Sequence, residues 1–175
     1  LTPGDIGAVT VCTGPGSFTG LRIGLAAAKG IAVVNQIPVI GISLFELAAY
    51  LLGNESPEIW LLTPARKGEY FAVKSTGGTV DLEAATAVMT RDLPQLVGNL
   101  PAAGFGDTIA ADLQATGVTD MSPHLKYDAA HLLILGLTRY EQGLIPDLNK
   151  LEPLYLRRSQ AELRWAERYG KDPQN

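Results

Sequence analysis

The chain has 175 residues, 46% of them hydrophobic and 18% charged, a composition that supports a buried core and excludes a disordered chain. Its net charge of −4 and its sequence pI of about 5.1 weigh against a broad nucleic-acid-binding surface, which needs a basic face. The single cysteine, Cys12, excludes an internal disulfide and a cysteine-based zinc site. Since no secretory or lipidation motif is visible near the start, we expect a cytoplasmic location.

A glycine-rich turn joins the first predicted strand, about residues 6–12, to the first predicted helix. Turns of this kind often bind phosphate, because the N–H groups at the start of a helix point outward. The glycine spacing here fits neither the P-loop nor the dinucleotide-binding fingerprint, and Pro15 lacks a backbone N–H. We therefore predict a tight turn in which Ser17 or Thr19 caps the helix. We define the signature turn as Gly14, Pro15, Gly16, Ser17, Phe18, Thr19 and Arg22.

The helix predicted over residues 21–34 is apolar on almost every side, and its only charged residues are Arg22 and Lys29. These charges and its length exclude a membrane span. Because an interior glycine costs about 1 kcal/mol relative to alanine, its glycines indicate the close approach of another backbone. The helix is either sandwiched inside its own domain or presents one face to a partner chain. In the second case the predicted contact residues are Gly20, Ile23, Gly24, Ala27, Ala28 and Ile31.

The next elements complete a predicted βαβ unit. Residues 37–42 read as a strand parallel to the first, and Ser43 with Glu46 forms a capping box that opens a helix to about Leu52. A polar break at residues 53–57 marks the predicted domain boundary. We expect the remainder of an N-terminal lobe over residues 1–55, a second lobe over residues 56–150, and an extended segment with a helix at 160–169 over residues 151–175.

The second lobe is predicted to begin with a hairpin of strands at 59–63 and 69–74. Its turn carries Arg66, Lys67 and Glu69, which form either a solvated loop or a binding loop, since loops often carry function. A strand near 85–89, a helix to about 97, a strand at 102–105 and a helix at 107–114 follow. Asp128 is predicted to cap a further helix that ends near Gly143.

No catalytic or metal-binding constellation stands out in the sequence. The two histidines, His124 and His131, are seven residues apart, whereas metal-binding pairs on a helix use a spacing of three or four. No local signature supports a Ser-His-Asp triad. We therefore predict neither a metal site nor a catalytic residue.

The signature turn, continued through Gly24 and the Ala/Gly-rich helix, resembles the signature of the TsaB (YeaZ) family. Three further segments support the resemblance: residues 37–43 with Glu46, residues 65–69, which are similar to an Asp-Ala-Arg-x-Gly-Glu hairpin, and residues 153–157, which are similar to Pro-x-Tyr-Leu-Arg. Pro64 stands where the hairpin motif has Asp, so a role for that carboxylate is absent. The family's preceding Asp-Thr-Ser strand and first long helix are not in the sequence, so we expect an incomplete first lobe.

The resemblance implies an α/β, two-lobed actin-like ATPase (ASKHA) fold, the class of sugar kinases, Hsp70 chaperones and actin. It implies a non-catalytic scaffold for tRNA N6-threonylcarbamoyladenosine (t6A37) modification that binds a TsaD homologue, the transferase, with a TsaE homologue. It also implies a TsaD contact made by the first helices of the N-terminal lobe, and a homodimer through the same surface when the partner is absent. We expect no intrinsic cofactor, ATP or ADP only within the partner complex, tRNA contact only through that complex, and no membrane association.

Two other functions remain open from the sequence. The fold class and the glycine-rich turn are compatible with a nucleotide-dependent kinase or ATPase. An M22-type glycopeptidase, an activity attached to the same superfamily, would need a metal or a nucleophile that the residues do not indicate.

Overall fold

The structure is a computed structural model that describes residues 2–53, 57–125 and 127–156. After a 3-10 turn at Pro3–Asp5, the chain forms β1 (Val9–Gly14), α1 (Phe18–Asn35), β2 (Val39–Ser43) and α2 (Leu44–Leu52). β1 and β2 pair in parallel, from Val9 opposite Val39 to Gly14 opposite Ser43, which confirms the predicted βαβ unit. The capping box is also confirmed, since the Ser43 side chain accepts from the Glu46 N–H and the Glu46 carboxylate accepts from the Ser43 N–H.

A second sheet follows, built from β3 (Glu58–Arg66), β4 (Glu69–Thr76), β5 (Thr79–Val80), β6 (Thr86–Met89) and β7 (Ala102–Gly104). β3 and β4 form the predicted antiparallel hairpin. β7 pairs in parallel with the other edge of β3, and β5 and β6 both pair with β4. Two short helices, α3 (Leu93–Val97) and α4 (Ile109–Thr116), complete this part of the chain.

Helices cover both faces of the second sheet. Because side chains alternate along a strand, Leu61 and Leu62 enter different core clusters. Leu61 packs in the cluster that contains Phe45 of α2, whereas Leu62 packs with Leu93 and Ile109 of α3 and α4. The position of α2 in this core ties the first four elements to the second sheet.

The last described helix, α5 (Ala129–Glu141), packs against β1 and β2. In the sequence, the predicted boundary near residue 55 lies between the last strand of the first sheet and the first strand of the second. α5 belongs to the predicted second-lobe range 56–150, but it covers the first sheet. Val39 faces α1 in one core cluster, and Ile40 and Ile42 face α5 and α2 in another. The β1–β2 sheet is therefore enclosed by α1 on one face and by α5 on the other.

The end of the described chain runs back to the first sheet. Leu151 is buried in the core cluster of α1 and β2, and the Leu154 N–H donates to the Thr13 carbonyl oxygen at 2.8 Å. Gly41 makes room for this crossing, since a Cβ there would lie 2.5 Å from Leu151 Cδ1. The predicted helix at 160–169 and Arg157 of the Pro-x-Tyr-Leu-Arg segment lie outside the described residues. Among the described helices, none has the length and hydropathy that a membrane crossing needs.

Candidate functional site: the signature turn and the outer face of the first helix

The signature turn is a structural cap of α1. The Ser17 side chain accepts a hydrogen bond from the Gly20 N–H at 3.3 Å, so Ser17 is the N-cap and the helix begins at Phe18, three residues earlier than predicted. Gly14 has a φ of 103°, a conformation that L side chains rarely adopt. A Cβ at Gly14 would also lie 2.8 Å from Leu21 Cδ1. The glycine is therefore explained by the turn's own geometry.

Two signature-turn residues, Phe18 and Arg22, contact Tyr155 near the end of the described residues. The Arg22 Nε donates to the Tyr155 hydroxyl at 2.9 Å, and the Arg22 guanidinium lies 4.0 Å from the centroid of the Phe18 ring. The rings of Phe18 and Tyr155 are 5.4 Å apart between centroids. This cation–π arrangement fixes the guanidinium at the surface. Tyr155 was missed as a site residue, although it lies in the segment that resembles Pro-x-Tyr-Leu-Arg, because the contact spans 133 positions.

The outward side of α1 is apolar and exposed. Ile23 is 66% exposed, Val34 is 81% and Ile31 is 43%. Gly20, Gly24 and Ala27 are exposed beside them. We refer to Gly20, Ile23, Gly24, Ala27, Gly30, Ile31 and Val34 as the outer face of α1.

Ala28 does not belong to this outer face, so its prediction as a partner-contact residue was wrong. Its side chain is 5% exposed and packs with Leu25 and Ala32 against the first sheet. A helix that is apolar almost all round gives a wheel with no clear inner stripe, so the sheet, and not the sequence pattern, decides which residues face inward.

The candidate binding loop lies in the second sheet. Arg66 and Lys67 are exposed and Glu69 is partly buried. The Gly68 carbonyl oxygen accepts from the Thr90 N–H at 2.9 Å, and Glu69 pairs with Met89 of β6. The loop is therefore supported by β6 and the residues after it, whereas the signature turn ends β1 in the first sheet.

The titratable groups with shifted pKa values have structural partners. Burial, together with a hydrogen bond to the Asp112 carboxylate, raises the pKa of Tyr70 to about 12. Burial raises the pKa of the Cys12 thiol, which disfavours the reactive thiolate. The pKa of Asp128 is lowered by hydrogen bonds from His131 and Ala130 at the start of α5. His131 is thereby explained as part of a cap.

No group of three or more metal-ligating His, Cys, Asp or Glu side chains occurs within the described residues.

An ion pair that sequence reasoning missed joins α5 to α2. Arg139 donates through Nη2 to Glu46 Oε1 at 2.6 Å and through Nη1 to the Gly41 carbonyl oxygen at 3.0 Å. From the sequence, Glu46 was predicted only to form the capping box with Ser43, and no local pattern indicates Arg139 as its ion-pair partner.

Comparison with known proteins identifies the family. The sequence model of the family described as "TsaD: tRNA N6-adenosine threonylcarbamoyltransferase" matches residues 1–91, more than half of the chain. The chain belongs to this TsaD family. The matched region contains the signature turn, all of α1 and the hairpin of β3 and β4.

Relatives and solved structures refine the placement within the TsaD family. The tRNA threonylcarbamoyladenosine biosynthesis protein TsaB of Escherichia coli is 29% identical over 180 residues, which cover 96% of this chain and 77% of that protein. TsaB of Bacillus subtilis is 35% identical over 74 residues, 41% of this chain and 31% of that protein. The solved structure of YeaZ from Pseudomonas aeruginosa superposes with a TM-score of 0.66 at 22% identity, covering 89% of this chain and 77% of that chain.

These findings confirm two expectations. The resemblance to TsaB (YeaZ) extends over nearly the whole chain, and the likeness to YeaZ confirms the α/β fold of the actin-like ATPase class. Because the solved structures are only 22% identical to this chain, they support the fold alone.

Proposed function

We propose that this chain acts in tRNA threonylcarbamoyladenosine biosynthesis as a non-catalytic scaffold that binds a TsaD-type transferase through the outer face of α1. The observation that carries the proposal is this exposed apolar face, in which Ile23 and Val34 are 66% and 81% exposed. Large aliphatic side chains aligned on one side of a helix are typical of a surface that a partner covers.

The glycines of α1 give a second, independent reason for a partner. A Cβ at Gly24 or Gly30 would meet no atom within 4 Å, so neither glycine is needed for packing within the described chain. By contrast, Gly136 of α5 is required by packing, because a Cβ there would lie 2.2 Å from Thr10 Oγ1. A helix that retains destabilising glycines on an open face is suited to the close approach of a second backbone.

The environments of Ser17, Tyr70 and Cys12 favour a binding role over an independent kinase or peptidase. Ser17 is used as a helix cap, and the N–H of Gly20 is already bound to it. The raised pKa values of Tyr70 and Cys12 disfavour their ionised, nucleophilic forms. We propose that a nucleotide, a TsaE-type ATPase and tRNA are engaged only in the assembled complex, and that the same outer face forms a homodimer when the transferase is absent.

The first test mixes the protein with the TsaD-type transferase of the same organism and measures molar mass by light scattering after size exclusion. A one-to-one complex is expected. Ala27→Glu would place an unpaired carboxylate inside the apolar contact, and we expect affinity to fall by more than about 100-fold. Ala28 is unsuitable for this test because its side chain is in the core.

The matched control is Ala111→Glu, which makes the same substitution at an exposed helix position of α4 in the second sheet region. It should leave complex formation unchanged, and circular dichroism should show both variants folded. A wild-type protein that forms no complex, or an Ala27→Glu variant that binds as tightly as Ala111→Glu, would contradict the proposed function.

A further inference from the structure

A groove runs along one edge of α1, between the outer face and the side that packs on the sheet. Its volume is about 400 Å³, and its walls are α1 and the segment at residues 151–155. Leu25 and Leu151, which line it, are 7% and 8% exposed. Arg22 and Lys29 stand on the helix side and Glu152 on the other. The groove is therefore lined by apolar and charged side chains together, along one edge of α1.

Arg22 is already held in a fixed position. Its Nε is bonded to the Tyr155 hydroxyl and its guanidinium is stacked on Phe18. Neither of its two Nη atoms has a hydrogen-bond partner among the described residues. A guanidinium whose orientation is set beforehand loses less entropy on binding a carboxylate, and its Nη groups can hold both oxygens.

Lys29 is the second cation of the groove. Its side chain is partly buried, and no ion pair is found for it within the part of the chain that the structure describes. It lies seven positions after Arg22 in the helix, which corresponds to about 10.5 Å along the axis at 1.5 Å per residue. Two carboxylates at the same spacing would lie two turns apart on a neighbouring helix.

We propose that this groove binds a helix of the partner transferase that presents two carboxylates two turns apart, one to Arg22 and one to Lys29. The inference rests on the proposed function and adds the charge pattern by which the partner is recognised. Glu152 favours a protein over a nucleic acid as the ligand of the groove, because a peptide can offer a cation to this carboxylate whereas a phosphodiester backbone cannot.

The experiment measures affinity for the cognate transferase by calorimetry with Arg22→Gln, Lys29→Gln and the charge reversal Lys29→Glu. The control is Arg91→Gln, a cation whose side chain is 80% exposed and which lies outside both surfaces. We expect about fivefold weaker binding for each glutamine variant and a larger loss for Lys29→Glu, while Arg91→Gln binds like wild type. Thermal unfolding shows whether each variant is folded.

Salt dependence separates attraction between charges from a packing effect. Between about 0.1 M and 1 M NaCl the Debye length falls from about 10 Å to about 3 Å, so wild-type affinity should fall and the Lys29→Gln affinity should fall less. Unchanged affinity and unchanged salt slope in the groove variants, with binding still lost in Ala27→Glu, would overturn the inference and leave the proposed function standing. Loss of tRNA binding in filter assays without any loss of transferase binding would also overturn it, in favour of RNA. If Ala27→Glu binds normally as well, the proposed function fails too.

Discussion

Replacing single glycines by alanine should have opposite effects on stability at different helix positions. At Gly24 and Gly30 an added methyl group meets nothing within 4 Å, so only the helix propensity changes. We expect each substitution to raise the free energy of unfolding by about 0.5–1 kcal/mol. At Gly136 the new Cβ would lie 2.2 Å from Thr10 Oγ1 and 2.9 Å from Thr10 Cβ. The resulting displacement of α5 from β1 should outweigh the propensity gain and cost about 1–3 kcal/mol net.

The assay is thermal and urea unfolding of the three single variants beside wild type. For a chain of this size 1 kcal/mol corresponds to about 2–4 °C in Tm, so Gly24→Ala and Gly30→Ala should melt up to a few degrees higher and Gly136→Ala several degrees lower. A rise in stability for Gly136→Ala, or a clear loss for the α1 variants, would refute the packing argument.

The same glycine substitutions in α1 should also change the affinity for the transferase. If a partner backbone approaches α1 at its glycines, Gly24→Ala and Gly30→Ala should weaken the complex with the TsaD-type transferase by about 10-fold while stabilising the free protein. A gain in stability together with a loss of binding cannot be produced by misfolding. Unchanged affinity in both variants would refute the reasoning that these glycines serve a close contact.

Two further predictions concern contacts that hold the fold. The side chains of the Arg139–Glu46 ion pair are each 24% exposed. Removing one partner by Arg139→Met or Glu46→Gln should lower the free energy of unfolding by about 1–3 kcal/mol. Urea unfolding of both single variants and the double variant should show a coupling energy, and additive losses would contradict the prediction. Because the pKa of Tyr70 is raised to about 12, the folded state favours the neutral phenol, so its stabilisation is complete below pH ~10 and is lost as the pH rises towards 12. The decline in unfolding free energy over that window should be smaller in Tyr70→Phe, and an equal decline would count against the assignment.

Local chemistry explains why the sequence predicts the elements around the signature turn well. The capping box of Ser43 and Glu46 and the cap at Ser17 depend on residues three positions apart, so short-range hydrogen bonds define them. The hairpin of β3 and β4 follows from two β-rich runs around a glycine turn. The family resemblance also depends on contiguous motifs, which are present in the sequence without reference to the fold.

Contacts distant in sequence were decided only by the tertiary structure. The wheel of α1 did not reveal that Ala28 faces the sheet, because almost every side of that helix is apolar. The position of α5 on the first sheet depends on the fit of Gly136 over Thr10, which no local pattern encodes. Arg22 and Tyr155 approach each other only because residues 151–155 cross beside α1. The sequence by itself thus determined the turn, the helix and the family, through short-range geometry; the folded chain decided which side of the helix is free to bind, because burial depends on what packs from elsewhere.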